Sequence, residues 1–206
     1  MSKKLVIVFE GIEGSGKSLH SAYLSKYFKR KRISHIKLRE PGGSENSEKI
    51  RNLILNNKSN FNKDTDLLLY LAARSENINN LKRFYKKKVI IIDRFTDSTL
   101  AYQHYGLGVN LKLINQINNY ILKDFKVDFT FLNIVNKKNM LTRLKKRKNL
   151  NRYDKFDYNF YSRVQKGFIR LASKNRNKYK IIDSNNEIKI NKAIIFEKIN
   201  RLLKWI

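Results

Sequence analysis

The sequence predicts an α/β protein in which a parallel β-sheet is flanked by helices. Short apolar runs rich in β-branched residues alternate along the chain with longer stretches of helical periodicity, which is the pattern of strand–helix–strand units. Two of these runs, residues 5–9 and 89–92, are almost uninterrupted, as expected for strands buried on both faces. The 206 residues contain no linker, repeat or low-complexity block. We therefore expect a single domain over residues 1–206.

Each apolar run and each helical stretch can be assigned to an element in chain order. The predicted strands are residues 5–9, 35–38, 89–92, 129–134 and 179–182. The predicted helices are residues 17–31, 47–55, 65–87, 111–123, 137–148, 157–177 and 192–203. The result is a five-stranded sheet whose helices fill the gaps between strands.

Composition excludes several classes of protein. Hydrophobic residues make up 41% of the chain and aromatic residues 12%, which is too apolar for a disordered protein. No apolar run approaches the ~18 residues of a membrane span, and the apolar stretch 5–9 is too short for a signal peptide and ends at Glu10. The absence of cysteine excludes disulfides and thiolate chemistry. We expect a cytoplasmic protein with no membrane partner.

The net charge of +28, from 45 Lys and Arg against 17 Asp and Glu, would attract any polyanion. One interpretation is a nucleic-acid surface, and the other is a compositional bias toward lysine. The lysines are spread over every segment rather than gathered in one stripe. This favours the compositional interpretation, so no specific nucleic-acid partner is expected.

A phosphate-binding loop follows the first predicted strand. Residues 10–18 read EGIEGSGKS, which matches the P-loop pattern G-x-x-x-x-G-K-[ST] from Gly11 to Ser18. The glycines allow backbone N–H groups to surround phosphate oxygens, and the next helix adds the positive potential of its N-terminus. In this motif Lys17 contacts the β- and γ-phosphates of ATP, while the Ser18 hydroxyl is a ligand of Mg²⁺. The predicted ATP-binding residues are Gly11, Ile12, Glu13, Gly14, Ser15, Gly16, Lys17 and Ser18. An ordinary glycine-rich turn is the alternative, but the flanking strand and helix are the context that the motif requires.

Asp93 is the predicted second contributor to the Mg²⁺ site. It follows the apolar run 89–92 directly, as the aspartate that holds the metal in P-loop proteins does. An aspartate in this position also caps helices. Because an intact P-loop accompanies it, the metal role is favoured.

Five blocks of the chain together resemble bacterial thymidylate kinase. They are EGIEGSGKS at 10–18, REPGG at 39–43, LAAR at 71–74, DRF at 93–95 running on to STLAYQ at 98–103, and Arg147 with Arg152 before Asp154. The resemblance covers essentially the whole chain and implies the nucleoside-monophosphate-kinase form of the P-loop fold. It also implies transfer of phosphate from ATP to dTMP in dTTP biosynthesis, dependence on Mg²⁺, and a homodimer.

The resemblance further implies how dTMP is bound. Arg94 and Arg51 hold its 5′-phosphate, because a guanidinium forks onto phosphate oxygens, and Glu13 lies near its sugar and phosphate. Arg74 donates to a thymine carbonyl, and Tyr70, four residues earlier on the same helix face, stacks on the base. The dTMP-binding set is Glu13, Glu40, Arg51, Tyr70, Arg74, Arg94, Ser98, Thr99, Tyr102 and Gln103. Within this set Thr99 and Gln103 read the pyrimidine edge, and Tyr102 crowds the sugar 2′ position.

These residues also have simpler interpretations when each is taken alone. Tyr70 could be a core aromatic, and Arg51 and Arg74 could be solvated helix charges. The run Pro41-Gly42-Gly43 could be an ordinary turn, and Ser98 and Thr99 could cap a helix. The joint occurrence of the five blocks favours the binding roles.

A lid over ATP is predicted at about residues 145–156. The P-loop has no arginine between Gly11 and Lys17, while γ-phosphoryl transfer requires a cation over the developing charge. In the family that this chain resembles, lid arginines supply it, and Arg147 and Arg152 match them. The predicted catalytic residues are Lys17, Arg94, Arg147 and Arg152. A solvated basic helix end is the alternative for the lid.

Two other functions compete with dTMP phosphorylation. Another P-loop kinase, such as a deoxynucleoside kinase, would act on an uncharged acceptor, which the phosphate-clamping arginines disfavour. A basic P-loop ATPase acting on nucleic acid would need an aromatic-interleaved groove, and none is evident in the sequence.

Overall fold

The computed structural model describes residues 5–148 and 150–204 of the chain. Asn149, which falls inside the predicted lid, and residues 1–4 and 205–206 of the predicted domain lie outside the described residues.

Five strands form one sheet in the order β2-β3-β1-β4-β5. The strands are β1 (Val6–Glu10), β2 (His35–Arg39), β3 (Val89–Asp93), β4 (Phe129–Ile134) and β5 (Tyr179–Asp183). All four neighbouring pairs are parallel. Strands β1 and β3 are buried at every position, as their apolar runs predicted. The α/β fold class with a five-stranded parallel sheet is confirmed.

Helices connect the strands. They are α1 (Lys17–Arg30), α2 (Glu45–Leu55), α3 (Lys63–Lys82), α4 (Thr96–Thr99), α5 (Leu111–Leu122), α6 (Lys137–Lys145), α7 (Tyr158–Lys174) and α8 (Ile188–Leu203). Helix α4 continues as a π-helix over Leu100–Gly106, and short 3₁₀ helices cover Arg152–Lys155 and Arg176–Lys178. None of the helices in the described part of the chain has the length and apolarity to cross a bilayer.

The two faces of the sheet are covered by different helices. Ile7 and Phe9 of β1 pack with α1 and α8, whereas Val6 and Val8 pack with the C-terminal half of α3. Successive side chains of a strand point to opposite faces, so both sets are buried in separate cores. Because helices cover both faces of the sheet, the carboxyl ends of the strands stay uncovered, and the loops that follow the strands meet there.

Some helix boundaries differ from the predicted ones. The helix predicted over residues 65–87 ends at Lys82, and a succession of turns follows in which Lys86 has a φ of 68°. A positive φ is incompatible with a continuing right-handed helix. The helix predicted over 137–148 ends at Lys145, and α8 begins at Ile188 rather than residue 192.

The segment Thr96–Gly106 was not predicted as helix, because its signal is not local. Phe95 provides no side-chain cap for α4. Instead the Glu10 carboxylate, at the end of β1, accepts the N–H groups of Phe95 and Ser98 at 2.8 and 3.2 Å. These groups are among the unpaired donors of a helix N-terminus, so a residue far away in sequence starts this helix.

The π-helix packs closely against α7 through two glycines. A Cβ on Gly106 would lie 2.7 Å from Phe160 Cε2, and a Cβ on Gly167 would lie 2.6 Å from Tyr105 Cδ2. Both distances are shorter than non-bonded carbon atoms tolerate. The close approach of the two helices therefore requires glycine at both positions.

Candidate active site

A cleft of about 520 Å³ opens at the carboxyl ends of the strands. Parallel α/β proteins place ligands at this edge of the sheet. The predicted residues that line it are Glu13, Lys17, Ser18, Glu40, Arg51, Tyr70, Arg74, Asp93, Arg94, Ser98, Thr99, Tyr102, Gln103 and Arg147. The structure thus brings most of the predicted site together in one cavity.

The phosphate loop has the backbone that its glycines predicted. Gly11, Gly14 and Gly16 have φ angles of 142°, 70° and 82°, a region that other residues rarely adopt. A Cβ on Gly11 would lie 2.3 Å from the Asn133 carbonyl oxygen, so β4 itself requires glycine there. Helix α1 begins at Lys17 directly after Gly16, which directs its N-terminal N–H groups and positive potential toward the loop.

Lys17 lies buried at the centre of this loop. Its Nζ donates to the Ile12 carbonyl at 3.3 Å. Burial, together with the charge of Arg94, lowers the pKa of Lys17 to about 8, although the carboxylates of Glu13 and Asp93 oppose the change. The ammonium form still predominates at neutral pH, so the loop presents a cation with few competing partners.

Ser18 and Asp93 form a place that fits a divalent cation. Ser18 is exposed at the second position of α1, Asp93 ends β3, and both line the cleft. Asp93 is buried, and its Oδ1 has no hydrogen-bond partner in the described chain. A carboxylate and a hydroxyl are ligands that Mg²⁺ accepts, with phosphate oxygens and water completing the shell. No cluster of three or more His, Cys, Asp or Glu suited to a metal occurs among the described residues, so the protein alone does not form a closed cage.

Arg94 is held by two elements at once. Its Nη2 donates to Glu13 Oε1 at 2.6 Å, and its Nη1 donates to the Gly11 carbonyl at 3.0 Å. The guanidinium also lies 5.1 Å from the centre of the Tyr102 ring, and the residue has a φ of 70°. A left-handed non-glycine residue persists only where its surroundings fix it. The structure therefore presents this guanidinium in one defined orientation.

Glu13 is ionised because of the same partners. Burial alone would raise its pKa, but the charges of Arg94 and Lys17 and the hydrogen bond from Tyr102 lower the pKa below its ordinary value. The Tyr102 hydroxyl donates to Glu13 Oε2. The Glu13 carboxylate thus contacts both Arg94 and Tyr102. The resemblance assigns these two residues to the acceptor phosphate and to the sugar.

Arg74 and Glu40 form a buried ion pair, with Nε of Arg74 and Oε2 of Glu40 2.8 Å apart. Nη1 of Arg74 donates to Asn118 Oδ1 at 2.8 Å, and the guanidinium lies 5.2 Å from the centre of the Phe95 ring. Burial raises the pKa of Glu40, which Arg74 opposes. Two nitrogens of Arg74 are therefore held in place while the residue lines the cleft. The alternative interpretation of Arg74 as a solvated helix charge is wrong, because the residue is only 2% exposed.

Neutral side chains form the remaining wall of the cleft. Thr99 and Gln103 are buried on α4 and the π-helix, and Gln103 Nε2 has no hydrogen-bond partner in the described chain. Tyr70 is half-buried, with its ring edge-on to Tyr153 at a centroid distance of 6.0 Å. A flat ring and an unpaired amide donor suit a planar base with polar edges.

Two further predicted residues, Arg51 and Ser98, are held by hydrogen bonds at the edge of the cleft. Arg51 Nη1 donates to the Pro41 carbonyl at 2.7 Å, so the REPGG turn and α2 are connected. Ser98 accepts from Arg94 Nη1 at 3.3 Å and donates to Glu10 Oε2 at 2.5 Å. Its hydroxyl therefore lies between the P-loop strand and the guanidinium.

The structure separates the two predicted lid arginines. Arg147 lines the cleft, and its Nη1 lies 2.5 Å from Asp154 Oδ1. Arg152 is not part of the cleft lining; its guanidinium donates to the Ile54 carbonyl and to Asp66 Oδ1. Only one of the two therefore faces the cavity in this structure.

Comparison with known proteins identifies the family. A family model described as thymidylate kinase matches residues 9–195. The chain belongs to the thymidylate kinase family. The thymidylate kinase of Wolbachia pipientis wMel is 39% identical over 174 residues, which is 82% of this chain and 86% of the relative. That of Wolbachia sp. subsp. Brugia malayi is 35% identical over 202 residues, 96% of this chain and 95% of the relative. A crystal structure of thymidylate kinase from Ehrlichia chaffeensis superposes with a TM-score of 0.79 at 30% identity, covering 97% of this chain and 99% of that one.

This member of the thymidylate kinase family also contains site residues that sequence reasoning missed. Arg143 donates to the Gly14 carbonyl at 2.8 Å and to the Ser184 carbonyl at 2.6 Å. It thereby joins the phosphate loop to the segment after β5. Its spacing of four residues from Arg147, one turn of the helix predicted over residues 137–148, is a signal that could have revealed it. Asn118 and Asp66 carry no local motif, because their partners lie far away in sequence.

Proposed function

We propose that this chain transfers the γ-phosphoryl group of ATP to the 5′-phosphate of dTMP, releasing ADP and dTDP. One observation carries the proposal: a single cleft joins the P-loop cation Lys17 to the guanidinium groups of Arg94 and Arg51, beside an uncharged wall. Two sets of anion-binding groups in one cavity suit a reaction between two phosphates. Membership of the thymidylate kinase family supports the choice of acceptor.

The reaction needs little more than positioning and charge neutralisation. An oxygen of the acceptor phosphate attacks the γ-phosphorus of ATP and forms a new P–O bond. The bond between the γ-phosphorus and the oxygen that links it to the β-phosphate breaks, and ADP leaves. The attacking oxygen is already ionised, so no general base is required. Lys17 lies at the P-loop, where it neutralises the transferring group and the leaving group. Ser18 and Asp93 would hold Mg²⁺, which would supply further positive charge to the phosphates when bound.

The acceptor phosphate is assigned to Arg94 and Arg51. Both line the cleft, and hydrogen bonds to backbone carbonyls of the P-loop and the REPGG turn fix them. A preorganised guanidinium loses little freedom when it binds a phosphate. Holding the acceptor in line with ATP is therefore the catalytic role that we assign to Arg94.

The base and sugar are assigned to the neutral wall together with Arg74 and Tyr102. Tyr70 stacks on thymine, the nitrogen of Arg74 that is not used by Glu40 or Asn118 donates to a thymine carbonyl, and Thr99 with Gln103 contacts the N3 edge. Tyr102 is fixed by its hydroxyl on Glu13, and we assign its ring to the space that a ribose 2′-hydroxyl would need. The arrangement favours a pyrimidine deoxynucleotide over purines and ribonucleotides.

A coupled-enzyme assay of ADP formation with each nucleoside monophosphate tests the proposal. We expect dTMP to exceed dCMP and dGMP by at least ~10²-fold in kcat/KM, because the wrong base leaves polar groups unpaired. Lys17→Ala should be inactive while its circular dichroism is unchanged, since Lys17 contacts the loop and not the core. Equal use of dCMP or purine monophosphates would contradict the assignment of the acceptor.

Three expectations from the sequence stay predictions. They are the homodimer, which sedimentation equilibrium measures; the cytoplasmic location; and the lack of a specific nucleic-acid partner despite a charge of +28. The last is measured by gel shift with single-stranded DNA. Binding driven only by counterion release should collapse at ~0.15 M salt.

A further inference from the structure

The turn that follows α6 is stabilised from within by one carboxylate. Asn151 Oδ1 accepts the N–H of Tyr153 at 2.9 Å, and Asp154 Oδ2 accepts the N–H of Asn151 at 2.9 Å, which is the reciprocal pattern of a capping box. The other oxygen of Asp154 receives Nη1 of Arg147 at 2.5 Å. The side chain of Asp154 is fully buried. The position of Arg147 over the cleft therefore depends on where this turn, residues 151–155, is placed.

Arg152 attaches the same turn to the acceptor half of the protein. Its Nε donates to the Ile54 carbonyl near the end of α2, where helix carbonyls lack partners. Its Nη2 donates to Asp66 in α3, and its guanidinium lies 5.5 Å from the centre of the Phe61 ring. Three kinds of contact thus hold the side chain away from the cleft.

Asp66 receives two donors from the turn. Besides Arg152, the Tyr153 hydroxyl donates to Asp66 Oδ2 at 3.0 Å, and Asp66 is only 4% exposed. Asp66 lies one helical turn before Tyr70 and two turns before Arg74 on α3, so these side chains share one face. The helix that carries the predicted base-binding residues is therefore the helix to which the turn is attached.

We propose that Arg152 and Asp66 are a positioning pair: they fasten residues 151–155 to α3 so that Asp154 places Arg147 over the phosphoryl group. Arg152 then acts through Arg147 and does not itself contact the phosphates. This inference rests on the proposed function, because it assigns Arg147 as the cation for the transferring group. The sequence predicted two equivalent lid arginines. The proposal instead assigns a catalytic role to Arg147 and a positioning role to Arg152.

The kinetic test compares Asp66→Asn, Arg152→Gln and the double variant in the full-length protein. If the pair positions Arg147, each single variant lowers kcat by at least ~10-fold with little change in the KM for dTMP, since a misplacement of about 1 Å can cost up to ~10² in rate. The double variant should be no slower than the slower single variant, because residues that act as one unit are not additive. Asp64→Asn is the matched control: it removes the same charge from an exposed position in the first turn of α3, and it should retain wild-type kcat.

A direct catalytic role for Arg152 would give a different kinetic pattern. If Arg152 contacts the phosphoryl group, Asp66→Asn leaves kcat within about 2-fold of wild type while Arg152→Gln lowers it by the roughly 10³-fold or more of an arginine finger. That pattern overturns the proposal.

Limited trypsin digestion gives a readout that does not depend on turnover. Detachment of the turn should increase cleavage after the exposed Lys155 by several-fold in Arg152→Gln and Asp66→Asn, but not in Asp64→Asn, with thermal melting as a check on global unfolding. Unchanged cleavage in Arg152→Gln overturns the positioning role even if Asp66→Asn does not fold. If the wild-type protein does not use dTMP, the proposed function fails, whereas this digestion still decides whether the pair holds the turn.

Discussion

Glu13 Oε1 and Arg94 Nη2 lie 2.6 Å apart, which joins the P-loop to the residue that follows β3. Both side chains are largely shielded from water, with exposed fractions of 11% and 16%. The carboxylate balances the arginine before any phosphate arrives, and the pair orients the guanidinium toward the cleft. One ion pair thus connects the two elements that meet at the centre of the cleft.

Arg94→Lys should lower kcat/KM for dTMP by at least ~10²-fold. A lysine keeps the charge but cannot contact Glu13, Gly11 and a phosphate oxygen together, because its ammonium is a point donor on a flexible stem. Steady-state kinetics with varied dTMP measures the loss. The control is Arg201→Lys, in an exposed ion pair with Glu197, which should leave the kinetics unchanged. Wild-type kcat/KM in Arg94→Lys would show that charge alone is sufficient.

Tyr102→Ala should narrow the preference for deoxyribose over ribose. The ring fills space beside Glu13 and Arg94, and its removal makes room for a 2′-hydroxyl. Tyr102→Phe, which keeps the ring and loses the hydrogen bond to Glu13, should retain most of the preference. The measurement is the kcat/KM for dTMP divided by the kcat/KM for the corresponding ribonucleotide. An unchanged ratio in Tyr102→Ala would remove this residue from sugar discrimination.

Arg147→Ala should lower kcat by at least ~10²-fold while the KM for dTMP moves little. A cation that meets the phosphoryl group chiefly in the transition state changes the rate more than ground-state binding. Lys145→Ala and Lys148→Ala are the matched controls. Both lysines are exposed and, unlike Arg147, do not line the cleft. Equal few-fold losses in all three variants would mean that the segment supplies only a general positive field.

Glu10→Gln should change how stability depends on pH. Burial and the nearby charge of Asp97 raise the pKa of Glu10 from 4.5 to about 7, although Ser98, Arg94 and Phe95 oppose the rise, and Tyr179 faces the same cavity. The folded state therefore favours the protonated carboxyl. Its contribution is fully present below about pH 4.5 and is lost as the pH rises through about 7.

Urea unfolding at pH 5 and pH 8 measures this effect. Between these values the wild-type protein should lose on the order of 2 kcal/mol more stability than Glu10→Gln, since one pKa unit corresponds to about 1.4 kcal/mol. Glu45→Gln, at an exposed position in the first turn of α2, should follow the wild-type dependence. Parallel curves for Glu10→Gln and wild type would exclude Glu10 as the titrating group.

The elements that the sequence predicted well are those whose signals are local. The run from residue 89 to 92 became β3 because its apolar side chains serve both faces of the sheet. The glycines of the P-loop determined its backbone, since Gly11 and Gly16 take positive φ angles. Most of the predicted site residues line one cleft, because the motifs that named them contain both the residue and its context.

What the sequence did not reveal depends on partners that are distant along the chain. The helix at Thr96 starts because Glu10, more than 80 residues earlier, accepts its first N–H groups. The separate places of Arg147 and Arg152 follow from Asp154 and Asp66. Two arginines five residues apart in a basic segment look equivalent until their acceptors are known.

The π-helix over Leu100–Gly106 has a consequence for how this site can vary. Its backbone bonds span five residues, as in the bond from the Leu107 N–H to the Tyr102 carbonyl at 3.0 Å, so the turn holds one residue more than an α-helix would. Deleting one residue would let the turn relax to α-helical geometry, which would leave the residues beyond it in place but change which side chains within it face the cleft. Tyr102 and Gln103 could then no longer both line the cleft. The composition of this wall of the cleft therefore depends on the length of the segment as well as on the identity of its residues.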